Sequence, residues 1–297
     1  MRIPYTKVPL LYVDQLSQLK TRGLIIENEE KALHLLENIG YYRLSGYWYP
    51  LLQDKVNHTF KNTAYFHTAF QLYCFDREFR QLIISELEKI EVAVRAKMIY
   101  VLSHKYGCFW YTDSTLFKNQ QKHFDTLKKI SDEFGRSDED FVKSFKNKYS
   151  DPFPPAWMML EVTSFGALSL LYSNLKCPFE KREIANYFGL SDSVFASWIH
   201  SIVYLRNLCA HHSRLWNRTL SIQPLLPRST RKTWIEDDLV SNNKVYFMLS
   251  IIRYLLQTVN PTTSFSAKIE SLQAKYPNVD FHAMGFSSTW KSEQLWK

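Results

Sequence analysis

From Ser193 to Ile235 the sequence contains no aspartate and no glutamate, yet it carries Arg206, Arg214, Arg218, Arg228, Arg231 and Lys232. This one segment contributes +6 to a chain whose formal net charge is +8. With no carboxylate to neutralise it, the segment suits an anionic partner and argues against a cationic one. Cysteine is sparse as well. Cys74, Cys108, Cys177 and Cys209 are far apart and form no CxxC pair, which speaks against a zinc ribbon or a disulfide framework and for reduced thiols in the cytoplasm. Long apolar runs are missing: the best candidate, Val245 to Leu256, is about half the length of a membrane helix and includes Arg253. The opening residues, Met1 to Lys7, hold no apolar core of a secretory signal. The expectation is a soluble, cytoplasmic protein with no membrane partner.

Glycine, with 8 residues, is also scarce, and long stretches repeat apolar residues at three- and four-residue steps, so the expected fold class is all-α. A first helix is expected over 14–22, stopped by Gly23, and a second after Asn28 as N-cap, ending before Gly40. Tyr41 to Pro50 reads as an aromatic-rich turn, a wedge locking those helices to the core; the alternative is a nucleobase platform around Arg43. A long helix over 76–104 repeats Phe79, Leu82, Ile83, Leu87, Ile90, Val94, Met98 and Val101 at three- and four-residue steps, with Glu88, Glu91 and Arg95 opposite. The spacing of Glu91 and Arg95 fits a helix ion pair. We read these charges as solvated or packing groups; the functional alternative has Glu88 or Glu91 orient a residue of the site. The region 111–150 is more polar, either a helical excursion or a mobile insertion. One helix is expected over 157–175, with Ser164-Phe165-Gly166 permitting close packing, then a short one and a turn at Gly189. A basic helix begins near Asp192, and an apolar helix covers 243–259. Met284-Gly285-Phe286 and Trp290 are expected to dock a C-terminal tail. No repeat, low-complexity tract or linker is visible, so one domain is expected over 1–297: N-terminal helices and aromatic turn at 1–58, a core at about 64–260, and a tail at 261–297.

The basic helix carries the chemistry. If helical geometry continues from Arg206 to Trp216, then Arg206, Asn207, Ala210, His211 and Arg214 share a polar face, and His212 falls among Leu205, Leu208, Cys209, Leu215 and Trp216 on an apolar one. His211 is thereby the candidate general acid or base, and His212 a hydrogen-bonded core or interface residue. RNA cleavage without a metal needs proton transfer to and from ribose oxygens, which imidazole performs near neutral pH. It also needs charge stabilisation at phosphorus, which a guanidinium fork supplies. Arg206, Asn207 and His211 are the candidate catalytic residues; Arg214, Arg218 and Arg43 are candidate RNA contacts.

Arg206-Asn207, three residues, then His211 resembles the R-N-x-x-x-H motif of HEPN-superfamily ribonucleases. The chain at nearly full length resembles the Abi-type (AbiD/AbiF-like) abortive infection proteins of bacterial phage resistance. The residues that carry this are Arg22 to Ile26, Ile39 to Trp48, Phe75 to Glu78, Glu88 to Glu91, Arg95, Pro155 to Met158, Ser164 to Gly166, Arg206 to Asn217 and Met284 to Phe286. The resemblance implies a HEPN-like helical bundle acting as a metal-independent endoribonuclease without a cofactor, whose motif works across a homodimer. Carried over, Arg206 would polarise the scissile phosphate, His211 would transfer protons, and Asn207 would position them. The products would be a 2′,3′-cyclic phosphate (or 3′-phosphate) and a 5′-hydroxyl. A toxin of this kind implies an antitoxin, protein or RNA. Two other readings stand beside it: a non-catalytic RNA-binding module that stacks bases on Tyr41, Tyr42, Tyr47 and Trp48, and an interaction protein whose basic face meets an acidic partner.

Overall fold

The computed structural model describes residues 4–236 and 240–297; Met1 to Ile3, part of the opening segment read above, fall outside them. Helix makes up 63% of the chain, against a single two-stranded sheet among the described residues, so the fold is mainly α as expected. The chain divides into two compact units, 1–79 with 272–279, and 80–271 with 280–297.

In the first unit, α1 (Tyr12–Thr21) and α2 (Glu29–Ile39) are followed by α3 (Tyr41–Trp48). The Asn28 side chain accepts a hydrogen bond from the Lys31 amide at 2.8 Å, satisfying one of the donors that a helix start leaves open. Gly40, at φ +90°, serves as C-cap of α2 and N-cap of α3, a reversal that a side chain would oppose. The aromatic segment is thus a helix and not a turn. Its wedge role holds: Tyr47 and Trp48 are buried, and the Tyr47 hydroxyl donates to the buried Asp76 carboxylate at 2.7 Å. As a base platform the segment offers two open rings, Tyr42 at 92% exposure and Tyr49 at 47%, since Tyr47 and Trp48 are buried. A short hairpin, β1 (Leu52–Asp54) and β2 (Thr59–Phe60), pairs antiparallel with Leu52 opposite Phe60.

The helix α4 (Phe66–Tyr106) starts in the first unit and continues into the second, and no linker marks the division. It extends ten residues upstream of the expected start. The second unit adds α5 (Gln120–Arg136), α6 (Asp140–Lys148), α7 (Ala156–Met159), α8 (Phe165–Asn174), α9 (Pro178–Tyr187), α10 (Asp192–Ala210), α11 (Val245–Val259) and most of α12 (Phe265–Lys275). The region 111–150 is therefore a helical excursion, its α5 packed on α8.

The helix expected over 157–175 is broken between α7 and α8. Glu133 of α5 accepts from the Ser164 amide at 3.0 Å and from its hydroxyl at 2.8 Å. That carboxylate takes a backbone donor a continuous helix would need, and Ser164 turns extended instead. Gly166 at the start of α8 packs against Val203 of α10, which lies 3.8 Å from where a Cβ would stand, an ordinary contact that does not itself require glycine.

The core of this unit is built on α10 and α11. In α10, Phe195, Trp198, Ile199, Ile202, Leu205 and Cys209 recur at helical spacing and are buried against α8, α9 and α11. Each large side chain so buried contributes about 1.5–3 kcal/mol. The apolar run in α11 is buried on nearly every side, which accounts for its composition without a membrane. No helix among the described residues is long and apolar enough to cross one. Within the tail, Met284, Phe286 and Trp290 are buried, and the Trp296 indole donates to the Tyr246 hydroxyl at 3.0 Å, so docking occurs as expected.

Candidate active site at the end of the basic helix

The helix α10 ends at Ala210, six residues before the helical projection assumed. Its C-cap is His211 (φ −85°, ψ 13°), and His212 follows in the left-handed region at φ +56°. The His212 amide donates to Cys209 O at 3.1 Å and the Ser213 amide to Leu208 O at 2.9 Å. This pair of bonds is the Schellman arrangement, which satisfies the last carbonyls of a helix and most often places glycine where His212 stands. A histidine there costs conformational energy on the order of 1 kcal/mol. Arg80 of α4, itself buried, donates to Ser213 O at 3.4 Å and sets a cation at the negative end of the helix.

This termination corrects the face assigned to His212. It is exposed, not in the core, because the chain has left the helix before reaching it. Leu215 and Trp216 are buried as expected, though from the following loop, where the Trp216 indole donates to Asp280 O at 3.1 Å. Arg214 and Arg218 also lie in that loop; the Arg218 guanidinium donates to Arg214 O at 3.3 Å. Up to the C-cap the polar face stands: Arg206, Asn207, Ala210 and His211 are all exposed on the last turn and a half of α10. Arg43 is exposed on α3, in the first unit.

Two neighbours of this turn complete it. Glu91 of α4 is partly buried, and burial pushes its carboxyl above the usual range, while the guanidinium groups of Arg95 and Arg206 pull it back down. Arg206 therefore faces an acid on the next helix. Arg95 holds Glu91 at 3.0 Å and donates through its two terminal nitrogens to the carbonyls of Glu161 and Thr163, the second at 3.0 Å. Those carbonyls are free because the α7–α8 break leaves them outside a helix. The Glu91–Arg95 pair is thus a packed support and not a solvated pair. An open groove of about 440 Å³ runs beside it, lined by Val92, Tyr100 and Trp157 with Arg95 and Glu161.

The second neighbour is Tyr204, which the sequence reading passed over. It precedes Asn207 by three residues and His211 by seven, the spacing of one helix face. Burial pushes its phenol up, but the hydrogen bond from Ser221 (2.9 Å) and the adjacent Arg218 guanidinium outweigh that and leave it below the usual tyrosine value. The signal was available in the spacing; what hid it was the ease of reading any tyrosine as core.

Fold and site together define a mainly helical protein whose acid-free basic segment holds an exposed arginine–histidine turn at the end of α10. A family model described as Abi-like protein matches residues 34–217, more than half of the chain and including the whole of that turn. The chain belongs to the Abi-like protein family, whose name refers to abortive infection, a bacterial defence against phage. No curated protein and no solved structure matches it.

Proposed function

We propose that the protein is a metal-independent endoribonuclease of phage defence, and that Arg206, Asn207 and His211 carry the reaction. The observation that bears most weight is the exposure of these three side chains on one terminal turn, in a segment without a carboxylate of its own. Family membership and the R-N-x-x-x-H spacing support the same reading.

In the proposed step a base removes the proton of a ribose 2′-hydroxyl, the oxygen attacks phosphorus, and the bond to the 5′-oxygen breaks as an acid protonates it. The products are a 2′,3′-cyclic phosphate and a 5′-hydroxyl. His211 suits the proton transfers, because imidazole exchanges protons near neutral pH and contributes on the order of 10²–10⁴ in rate. Arg206 suits the phosphorane-like charge, with Asn207 orienting ring or sugar. Glu91, whose carboxyl feels the Arg206 charge, is a positioning residue in this reading. Arg214 and Arg218 extend the phosphate contacts. One imidazole cannot be base and acid at once, so a homodimer that places two His211 side chains at one phosphate fits the chemistry. A protein or RNA antitoxin would restrain such an enzyme in its host.

The test is incubation of purified protein with total RNA in EDTA. Wild type should cleave, and His211→Ala and Arg206→Ala should not. Salt-sensitive binding without products at any enzyme excess would replace this reading with a non-catalytic RNA-binding module.

A further inference from the structure

At the opposite end of α10 from His211 lies an open cavity of about 680 Å³, within the size range of small-molecule sites. It is lined by the residues that lead into α10 and by the loop 225–231, all in the second unit. None of its lining residues is acidic. Arg228 and Arg231 line it, and among the described residues neither has a carboxylate within ion-pair distance. Asp192, between the lining residues Ser191 and Ser193, does not itself line the cavity; its charge acts on Lys181 and Tyr172.

Hydroxyl and apolar groups share the same walls. Ser193, Ser229 and Thr230 offer hydroxyls beside the arginines. Val194, Leu225 and Leu226 supply the apolar part, and the last two are adjacent and 52% and 63% exposed. The helix start itself is capped, Ser191 Oγ accepting from the Val194 amide, so the charge of the site comes from its side chains.

The loop is held in place. Arg231 N donates to Gly189 O at 3.3 Å, and the Tyr254 hydroxyl donates to the same carbonyl at 2.9 Å. Gly189 sits at φ +76° with the Tyr254 oxygen 2.8 Å from where a Cβ would stand, so no other residue fits there without displacement. The Trp198 indole donates to Leu225 O at 2.9 Å and fixes the other end of the loop. Two guanidinium groups with no ion pair among the described residues are thus presented from a braced loop, the cost of ordering it already met by folding.

We infer that this cavity binds a nucleotide, its phosphate on Arg228 and Arg231 and its base against Val194, Leu225 and Leu226. A guanidinium fork matches phosphate oxygens two at a time, and an apolar wall next to it matches a base and not a free inorganic anion. Two sources share this chemistry: a free nucleotide acting as an effector, and one unit of an RNA strand whose remainder reaches the His211 turn. The second source leans on the cleavage reading above; the first does not.

Calorimetric titration with AMP and ATP, and anisotropy with a short 2′-O-methylated oligoribonucleotide that cannot be cleaved, separate these sources. Both are run in His211→Ala protein, so a failed cleavage assay and a failed binding assay remain distinct results. Arg228→Ala/Arg231→Ala removes exposed side chains and should leave the melting temperature unchanged. Weaker AMP and ATP binding in this variant, by about tenfold or more, identifies a free nucleotide. A loss seen only with the oligonucleotide, with its salt slope reduced by about two, identifies a strand contact. Equal affinity of wild type and double variant for every ligand, or no binding of any ligand by wild type, overturns the inference.

Discussion

Glu91 on α4 and Arg206 on α10 form an acid–base relationship across two helices, in which the arginine charge opposes the rise that burial imposes on the carboxyl. Arg95 takes part in it and ties the pair to the broken helix at Thr163. Because the Glu91 carboxyl stays above its ordinary value, both arginines together do not repay the cost of burying it.

The sign of that shift fixes a prediction. A carboxyl whose folded pKa lies above its unfolded one contributes most to stability below the unfolded value, and that contribution is lost as pH rises through the folded value. At pH 7 Glu91→Gln should therefore leave the melting temperature unchanged or raise it. RNA cleavage should fall on the order of tenfold to a hundredfold, as Arg206 loses its aim. A destabilised variant with full activity would make Glu91 a structural residue.

His212 supplies a cleaner control than its neighbour. Alanine at φ +56° keeps the backbone strain, whereas glycine relieves it. His212→Gly is expected to raise stability by about 0.5–1 kcal/mol and to retain cleavage, measured by urea unfolding and by RNA turnover. Loss of cleavage in this variant, with the fold intact, would place His212 in the reaction beside His211.

Glu86 shows the opposite linkage from Glu91. Its side chain is wholly buried; burial would raise its carboxyl, but Lys89 at 2.6 Å and Lys268 at 2.9 Å bring it below the ordinary range. Stability from this group is present above the unfolded pKa and is lost as pH falls through the folded one. Glu86→Gln should cost about 1 kcal/mol at pH 7 and less at pH 3, followed by denaturant midpoint. An equal loss at both pH values would mean that packing, and not charge, holds α12 at this point.

Which of these features could be read from the sequence follows from how local their causes are. The Asn28 cap, the Gly40 boundary, the burial stripe of α4 and the start of α10 each depend on a few adjacent residues, and each was legible. The break between α7 and α8 was not, because its cause is Glu133, distant in sequence. The end of α10 was misplaced for a similar reason: nothing local forbids a helix through His212, and the turn is completed by Arg80 from another helix. The exposed face of Arg206, Asn207 and His211 survived because all three precede or form the cap. Glu91 lay within reach of the same logic, yet its importance depends on Arg206 facing it, a relationship that only the packed structure supplies.

Subunit mixing tests the shared-site chemistry. If two copies each bring a His211 to one phosphate, letting wild-type protein exchange subunits with an equal amount of His211→Ala should lower activity to about half of that of the same amount of wild type alone, because mixed dimers hold a single imidazole. Undiminished activity in a mixture shown by mass to exchange subunits would confine the reaction to a single chain.

The most direct test reads the RNA ends. Products made in EDTA by wild-type protein should accept phosphate on a free 5′-hydroxyl without prior phosphatase treatment and carry a 2′,3′-cyclic phosphate or 3′-phosphate at the other end. His211→Ala should yield none. Ends bearing a 5′-phosphate and 3′-hydroxyl, or the same ends in undiminished amount from His211→Ala, would contradict the account.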